Sequence, residues 1–341
     1  MSADPAANAA KQGPYPNDPE RTGQRKPRTN HVSESLPGYH LGKQIGTGAA
    51  SKIMLATERR SGKSFAVKHV VRNSADDDRF LEQVENEYAV TSKIDHPYLR
   101  HSYHLHRVRR LLKVSELYLV MDWVDGLTLE KARPNRLNTF LTLFQKIALG
   151  LQALHELGYV HADIKPINIM LAPRGVVKII DFGQACRIRH RKERVQGTPD
   201  YIAPEQVRRM PLDQRTDVFN LGATMYWVLT SENYPTAIRG NDARGGVKLI
   251  SADRPIAPIE LNDKIPLSLS NLVMECCKDN PDERPSDMKL VGSRLSVVQK
   301  LWRKHRENAR AEKNPAAQPP SPRFGGVQIN EDTIRATGGD A

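Results

Sequence analysis

The hydrophobic pattern of this chain changes type partway along. Between Tyr39 and Met121 the apolar residues lie in short alternating or β-branched runs, which are typical of strands joined by turns. From about Asp125 onward, longer periodic segments dominate, and the strongest of them, Leu137–Leu157, is followed by Gly158, a residue that often ends helices. Strands followed by helices, rather than alternating with them, favour an α+β chain with two lobes over a series of βαβ units.

The strand-rich half contains one helical segment, Asp77–Ile94, which has apolar residues at helical spacing. The ends of the chain have no sustained apolar period and are rich in Pro, Ala and polar residues. We therefore expect a disordered leader over residues 1–37 and a helix end with a disordered tail over residues 304–341. The folded unit would cover residues 38–303, divided into 38–121 and 122–303. The predicted strands are Tyr39–Ile45, Lys52–Thr57, Ser64–Val71, Leu117–Met121 and Val176–Ile180.

Composition excludes several classes of protein. The 341 residues carry 51 Lys and Arg against 39 Asp and Glu, and most of the resulting charge of +12 lies between the two tails. A basic tail that binds nucleic acid is therefore disfavoured, and no aromatic residues are interspersed among the basic ones in a pattern suited to base stacking. No apolar run approaches the roughly 20 residues of a membrane span. The three cysteines lack disulfide or metal-ligand spacing, so we expect a cytoplasmic protein.

The first three chemical motifs are weak when each is taken alone. Gly46–Ile53 is a glycine-rich turn between two predicted strands, which could cradle phosphates or simply be an ordinary hairpin. No helix follows it, so a dinucleotide-binding turn is disfavoured. Lys68 ends an apolar strand and Glu87 lies in the helical segment; both residue types are usually solvated.

Three further motifs follow the first long helix. These are His161–Asn168 (HADIKPIN), Asp181-Phe182-Gly183 directly after a predicted strand, and Ala203-Pro204-Glu205. In their order and spacing, the six motifs together resemble the eukaryotic-type, or Hanks-type, serine/threonine protein kinases, over residues 39–300. Lys165 and the segment Gly197–Tyr201 are similar to the serine/threonine branch, and the compact chain is similar to bacterial members.

The resemblance implies a bilobal protein-kinase-like fold, with a small antiparallel β-sheet lobe carrying one key helix and a larger helical lobe. It also implies phosphoryl transfer from ATP to protein hydroxyls, a reaction that depends on positioning and on neutralising phosphate charge. Mg²⁺ (or Mn²⁺) would be held by oxygen ligands. The catalytic residues implied are Asp163, Lys165, Lys68 and Glu87, and the metal ligands are Asn168 and Asp181.

The same resemblance implies a nucleotide site between the lobes. Apolar side chains would enclose the adenine, and backbone at Asp122 and Val124 would bond its edge. The implied nucleotide-binding residues are Ile45, Gly46, Thr47, Gly48, Ser51, Ile53, Ala66, Lys68, Met121, Asp122, Val124 and Met170. Glu205 and Arg284 resemble a buried ion pair of the helical lobe, and Asp217 resembles the aspartate that braces the catalytic loop.

Several residues depart from the family pattern. Ser51 replaces a glycine of the phosphate loop, and Thr91 stands where an apolar residue of the inter-lobe spine is usual, which weakens the expectation that the helix holds its active position. Ala162 replaces an arginine that usually receives a phosphorylated residue, and residues 184–197 contain no Ser, Thr or Tyr. We therefore expect activity without phosphorylation of this loop.

Two basic clusters are present. One is a loop that contains a single acidic residue, Glu193; it is either a solvated loop or a surface that favours acidic substrates or anionic regulators. Its members are Arg187, Arg189, Arg191, Lys192 and Arg194. The second precedes Leu117 and is interpreted as a solvated strand edge. Its members are Arg100, Arg107, Arg109, Arg110 and Lys113.

The sequence thus favours a cytoplasmic, ATP-dependent protein serine/threonine kinase that acts on protein Ser or Thr hydroxyls, with acidic residues as the candidate flanks. A pseudokinase scaffold and a small-molecule kinase of related fold are the alternatives. A nucleic-acid-binding or anion-binding module rests on net charge alone.

Overall fold

The computed structural model describes residues 36–48, 50–236, 238–241, 247–249 and 255–313. Most of the predicted leader, residues 1–35, and the predicted tail from residue 314 lie outside the described residues. Leu36 is buried against the first sheet, so the packed core includes a residue just before the predicted boundary.

Within the described residues, the first lobe is one antiparallel sheet with strand order β1-β2-β3-β5-β4. Ala66 and Lys68 on β3 pair with Met121 and Leu119 on β5 and share one face of the sheet, whereas Phe65 and Val67 point to the other face. One face buries the cluster around Phe65 and Val67, and the other packs against the helix α1. The strands are β1 (Tyr39–Gly48), β2 (Ser51–Glu58), β3 (Ser64–Val71), β4 (Ser102–Arg110) and β5 (Lys113–Asp122).

Helix α1 (Asp78–Thr91) ends three residues before the predicted boundary. The reason is local: the backbone N–H groups of Lys93 and Ile94 bond the carbonyls three residues earlier, which tightens and closes the last turn. The residues that α1 buries lie on one stripe, which includes Leu81, Val84 and the charged residue Glu87.

The second lobe is mainly helical. Helix α2 ends as expected before Gly158, whose φ is +80°. Helix α4 is buried along most of its length, and a Cβ atom at Gly222 would lie 2.6 Å from that of Cys276, so only glycine allows α4 and α6 to approach this closely. The helices are α2 (Leu137–Glu156), α3 (Pro204–Val207), α4 (Gln214–Thr230), α5 (Pro258–Leu261), α6 (Leu267–Cys276) and α7 (Met288–Lys313).

Short strands on the second lobe position its loops. Strands β8 and β9 form a hairpin that places residues 163–168 beside residues 180–183. The strands are β6 (Leu127–Thr128), β7 (Tyr159–Val160), β8 (Ile169–Ala172), β9 (Val176–Ile179), β10 (Cys186–Arg187), β11 (Ile238–Asn241) and β12 (Val247–Leu249).

The ion pair expected in the helical lobe is present. The Arg284 guanidinium donates to both carboxylate oxygens of Glu205 at 2.8 Å each, and the side chain of Arg284 is fully buried. A bidentate pair of this kind fixes orientation as well as distance. The α+β bilobal fold class is confirmed by the sheet and the helical lobe. No helix in the described part of the chain has both the length and the apolar character to cross a membrane.

Candidate active site

The structure brings Lys68, Glu87 and Asp181 together where the two lobes meet. Lys68 Nζ lies 2.7 Å from Glu87 Oε2 and 3.2 Å from Asp181 Oδ1. Lys68 comes from strand β3, Glu87 from the buried stripe of α1, and Asp181 from the turn after β9. Three residues that are far apart in sequence therefore form one charged cluster.

The charges of this cluster stabilise one another. Burial opposes the positive charge of Lys68, but the Glu87 and Asp181 carboxylates outweigh it and raise the pKa of Lys68. Attraction to Lys68 holds the pKa of Asp181 well below its usual range although partial desolvation opposes it, and Arg100 adds to the effect. Lys68 and Asp181 are therefore both ionised at neutral pH.

Arg100 contradicts the interpretation of its cluster as a solvated strand edge. Its side chain is only 10% exposed, and its Nη2 lies 2.8 Å from Glu87 Oε1. It precedes β4, where the chain passes beneath α1, so the guanidinium points into the interior. Elsewhere in the cluster, Arg107 pairs with Glu85 at the surface, and Arg109 is exposed.

The loop after β7 holds the second group of predicted residues. Lys165 Nζ donates to Asp163 Oδ2 at 2.8 Å and to Thr198 Oγ1 at 2.6 Å, and the Thr198 hydroxyl donates to Asp163 Oδ1 at 2.9 Å. Asn168 Nδ2 donates to the Asp163 carbonyl at 2.9 Å. Asp163 is thus held from several sides, and its side chain is only 9% exposed.

Asp217 on α4 supports this loop from below. Its carboxylate accepts backbone N–H bonds from His161 and Ala162, each 2.8 Å long, and lies 2.7 Å from His155 Nε2. Ala162 has φ = 59°, a left-handed conformation that is costly for a residue with a Cβ atom. The carboxylate therefore holds a strained backbone in place next to Asp163.

The side chains of Asn168 and Asp181 fit a divalent cation by their donor chemistry. Asp181 supplies an ionised carboxylate, and the Asn168 amide nitrogen already bonds Asp163, which leaves its amide oxygen as the available ligand atom. Hard cations prefer oxygen ligands of these two kinds. The described residues contain no group of three His, Cys, Asp or Glu side chains that could hold a metal alone.

The predicted nucleotide-binding residues fall on both sides of the cleft. Ile53, Ala66 and Met121 belong to the apolar cluster beneath the sheet. Asp122 and Val124 lie at the end of β5 and just after it, and Met170 lies on β8 in the other lobe. Gly46, Thr47, Gly48 and Ser51 flank the β1–β2 turn, and Ile45 on β1 is exposed. Their roles in binding stay predictions.

Two polar residues of α1, Thr91 and Asn86, hold the helix by hydrogen bonds to β4 and to the segment after Asp181-Phe182-Gly183. The buried Thr91 hydroxyl donates to the Glu87 carbonyl at 2.6 Å and lies 2.7 Å from the hydroxyl of Ser102 on β4. Asn86 Nδ2 donates to the Ala185 carbonyl at 2.7 Å, just beyond the Asp181-Phe182-Gly183 motif. Thr91 therefore supplies hydrogen bonds at a position where apolar packing was expected.

The basic loop is only partly solvated. Lys192 is partly buried and donates to the Gln184 carbonyl, and burial lowers the pKa of Lys192. Arg191 donates to the Arg209 carbonyl at 2.6 Å. Arg187, Arg189 and Arg194 remain exposed.

Four residues of this region were not predicted from the sequence as parts of the site. Thr198 has a signal in the sequence, since it lies within the segment Gly197–Tyr201, which is similar to the serine/threonine branch. Arg100, Asn86 and Gln206 had none, because each acts through a partner that is near only in the folded chain. Gln206 Nε2 donates to the carbonyls of Ala162 and Gln196 at 2.8 and 3.2 Å.

Residues 39–296 match the protein kinase domain family. This match covers well over half of the chain, which therefore belongs to the protein kinase family. The sheet order, the Lys68–Glu87 pair and the Asp163 loop agree with that assignment.

Among curated proteins, the chain is similar to bacterial serine/threonine-protein kinases. It is 30% identical to PknB of Mycobacterium tuberculosis over 265 residues, covering 75% of this chain and 41% of PknB. It is 27% identical to a probable serine/threonine-protein kinase of Clostridium acetobutylicum over 273 residues, covering 76% of this chain and 40% of that protein. The chain thus spans about two fifths of the length of these relatives.

Proposed function

We propose that this chain is an ATP-dependent protein serine/threonine kinase. The observation that carries the proposal is the joint placement of Lys68, Glu87 and Asp181 where the two lobes meet, together with the Asp163–Lys165–Thr198 triangle on the second lobe. Lys68 would bind the α- and β-phosphates, oriented by Glu87. Asp163 would accept the proton of the attacking hydroxyl, and Lys165 would stabilise charge on the transferred group.

Mg²⁺ or Mn²⁺, held by Asp181 and Asn168, would supply charge neutralisation at the phosphate oxygens. The protein's own contribution is to hold these groups still. Asp163 is oriented by Lys165 and Thr198, and Lys68 is oriented by Glu87, so little rearrangement is needed when substrates bind.

The deciding experiment compares transfer of radiolabelled phosphate from ATP by the wild type and by Asp163→Ala. We expect label on serine or threonine of a protein acceptor for the wild type only. Equal, background labelling by both proteins would favour a pseudokinase scaffold. Labelling of a small-molecule acceptor, with none on proteins, would favour a small-molecule kinase of related fold.

We also infer that activity does not require phosphorylation of residues 184–197. Three side chains support this through hydrogen bonds that involve no phosphate: Lys192 bonds the Gln184 carbonyl, Gln206 bonds the Ala162 and Gln196 carbonyls, and Asn86 bonds the Ala185 carbonyl. We expect phosphatase-treated enzyme, shown by mass spectrometry to carry no phosphate in this segment, to keep its activity. Loss of activity together with a phosphorylation site mapped in the segment would contradict the inference.

A preference for acidic flanks around the acceptor is a finer proposal. It is supported by the exposed Arg187 and Arg194, which border a cavity of about 790 Å³ between α1 and the loop, and by the exposed Arg189 of the same loop. A peptide library would show enrichment of Asp and Glu around the acceptor, and a preference for basic flanks would refute the proposed acidic preference.

We further propose that the protein works in the reducing cytoplasm, consistent with three buried, unpaired cysteines, Cys186, Cys276 and Cys277.

A further inference from the structure

Glu87 has two cationic partners, one on each carboxylate oxygen. Lys68 Nζ lies 2.7 Å from Oε2, and Arg100 Nη2 lies 2.8 Å from Oε1. The Glu87 side chain is fully buried, so neither oxygen has solvent to replace a lost partner. A carboxylate held in this way keeps one cation when the other moves away.

The backbone of Arg100 is fixed to the second lobe. Its N–H donates to the Ile179 carbonyl at 3.0 Å, at the end of β9 and two residues before Asp181. Its neighbour Leu99 forms a bridge with the same residue, and the Lys178 ammonium bonds the Leu99 carbonyl. Arg100 therefore connects the segment that carries Asp181 to the helix that carries Glu87.

We propose that Arg100 is a positioning residue, which acts through Glu87 to keep α1 and Lys68 in the arrangement for phosphate binding. This inference rests on the kinase activity proposed above. Lys68 must divide its hydrogen bonds among Glu87, Asp181 and the nucleotide phosphates. Arg100 keeps Glu87 neutralised throughout, so α1 stays in place without nucleotide and even without Lys68.

Hydrogen exchange of α1 amides in the nucleotide-free protein tests the positioning directly and requires no catalysis. We expect Lys68→Met to change α1 exchange by less than about twofold, because Glu87 keeps its pair with Arg100. Arg100→Met should raise α1 exchange about tenfold, because it removes the pair that joins Glu87 to a residue bonded to the Ile179 carbonyl. Arg107→Met is the matched control. It removes an exposed ion pair with Glu85 that joins the same helix to β4, and exposed pairs contribute little.

Steady-state kinetics tests whether Arg100 also keeps Lys68 in place to bind the phosphates of ATP. Arg100→Met should lower kcat/KM for ATP about 30-fold, mainly through a higher KM, whereas Arg107→Met should match the wild type. Arg100→Lys should restore part of the loss, because it retains a cation near Glu87 without the planar guanidinium. Exchange of α4 amides serves as the internal reference for global stability.

Two results would overturn the proposal. One is wild-type α1 exchange and ATP KM in Arg100→Met. The other is an equal rise of exchange in α1 and α4, which would make Arg100 a residue of general stability only. A wild type that transfers no phosphate would refute the kinase activity instead, while the α1 exchange pattern would still decide the role of Arg100.

Discussion

The bond between Asp217 and the strained loop before Asp163 offers a sharp test of how the site is held. Asp217→Asn keeps the shape of the side chain but leaves one acceptor oxygen where the carboxylate has two. With that oxygen facing His155 and the His161 N–H, the new amide group points its own N–H toward the N–H of Ala162. One charge-assisted hydrogen bond is then lost, and a buried donor is left without a partner.

The magnitude follows from the groups involved. A hydrogen bond to a charged group contributes about 1.5–3 kcal/mol, and an unsatisfied buried donor costs a similar amount. Against this, the left-handed backbone of Ala162, with φ = 59°, costs about 1 kcal/mol, which the loop regains when it relaxes. We expect the free energy of unfolding to fall by about 2–5 kcal/mol. The relaxation moves Asp163, the next residue, so kcat should fall at least about tenfold.

Urea unfolding gives the first quantity, and initial rates of peptide phosphorylation, normalised to folded protein, give the second. Asp213→Asn is the control on the same helix: Asp213 caps α4 through the Arg215 N–H at 2.9 Å and is partly exposed. It should cost at most about 1 kcal/mol and leave kcat unchanged. If Asp217→Asn resembled this control in both measurements, the role assigned to the strained loop would be wrong.

Further predictions concern three other features. Thr198→Val, which removes a hydroxyl but keeps the shape, should lower kcat about tenfold with little change in the KM for ATP, and an unchanged kcat would contradict the geometry. Glu205→Gln breaks the buried bidentate pair with Arg284 and should lower the unfolding free energy by about 3 kcal/mol in urea titrations; a cost like that of a surface pair would refute this. Leu111 and Leu112 form the β4–β5 turn with φ of 47° and 70° and are almost fully exposed. Replacing them by Asn and Gly should raise the free energy of unfolding in urea titrations by about 1 kcal/mol, and a lower free energy of unfolding would show that the leucines have a packing role.

Much of the charged cluster was predictable because its residues carry a recognisable order along the chain. Lys68 and Asp181 are 113 positions apart, yet each lies in a motif with a fixed neighbour pattern, and the structure brings them together. The two-lobed fold was predictable for a related reason: alternation in the first half and helical periodicity in the second half are local signals.

The supporting residues were not predictable, because nothing local distinguishes them. An arginine beside a strand is usually solvated, so Arg100 could be recognised as buried only once Glu87 was placed opposite it. Asn86 and Gln206 carry uncharged amides whose partners are backbone carbonyls. Because every residue has a backbone carbonyl, the sequence does not indicate which of them will accept such a bond. The same limit explains why Thr91 suggested that the helix is held less firmly in its active position. The hydrogen bond between the hydroxyls of Thr91 and Ser102 could not be read from the sequence.

The contact of Asn86 with the segment around Phe182 has a consequence for inhibitor design. Phe182 is fully buried against the His161 ring, with centroids 4.9 Å apart, and Asn86 bonds the Ala185 carbonyl just beyond it. A small molecule that fills the space of the Phe182 ring must displace this fully buried side chain from its contact with His161. Compounds confined to the predicted adenine pocket avoid this cost. Screening against this protein should therefore select ligands that leave Phe182 in place.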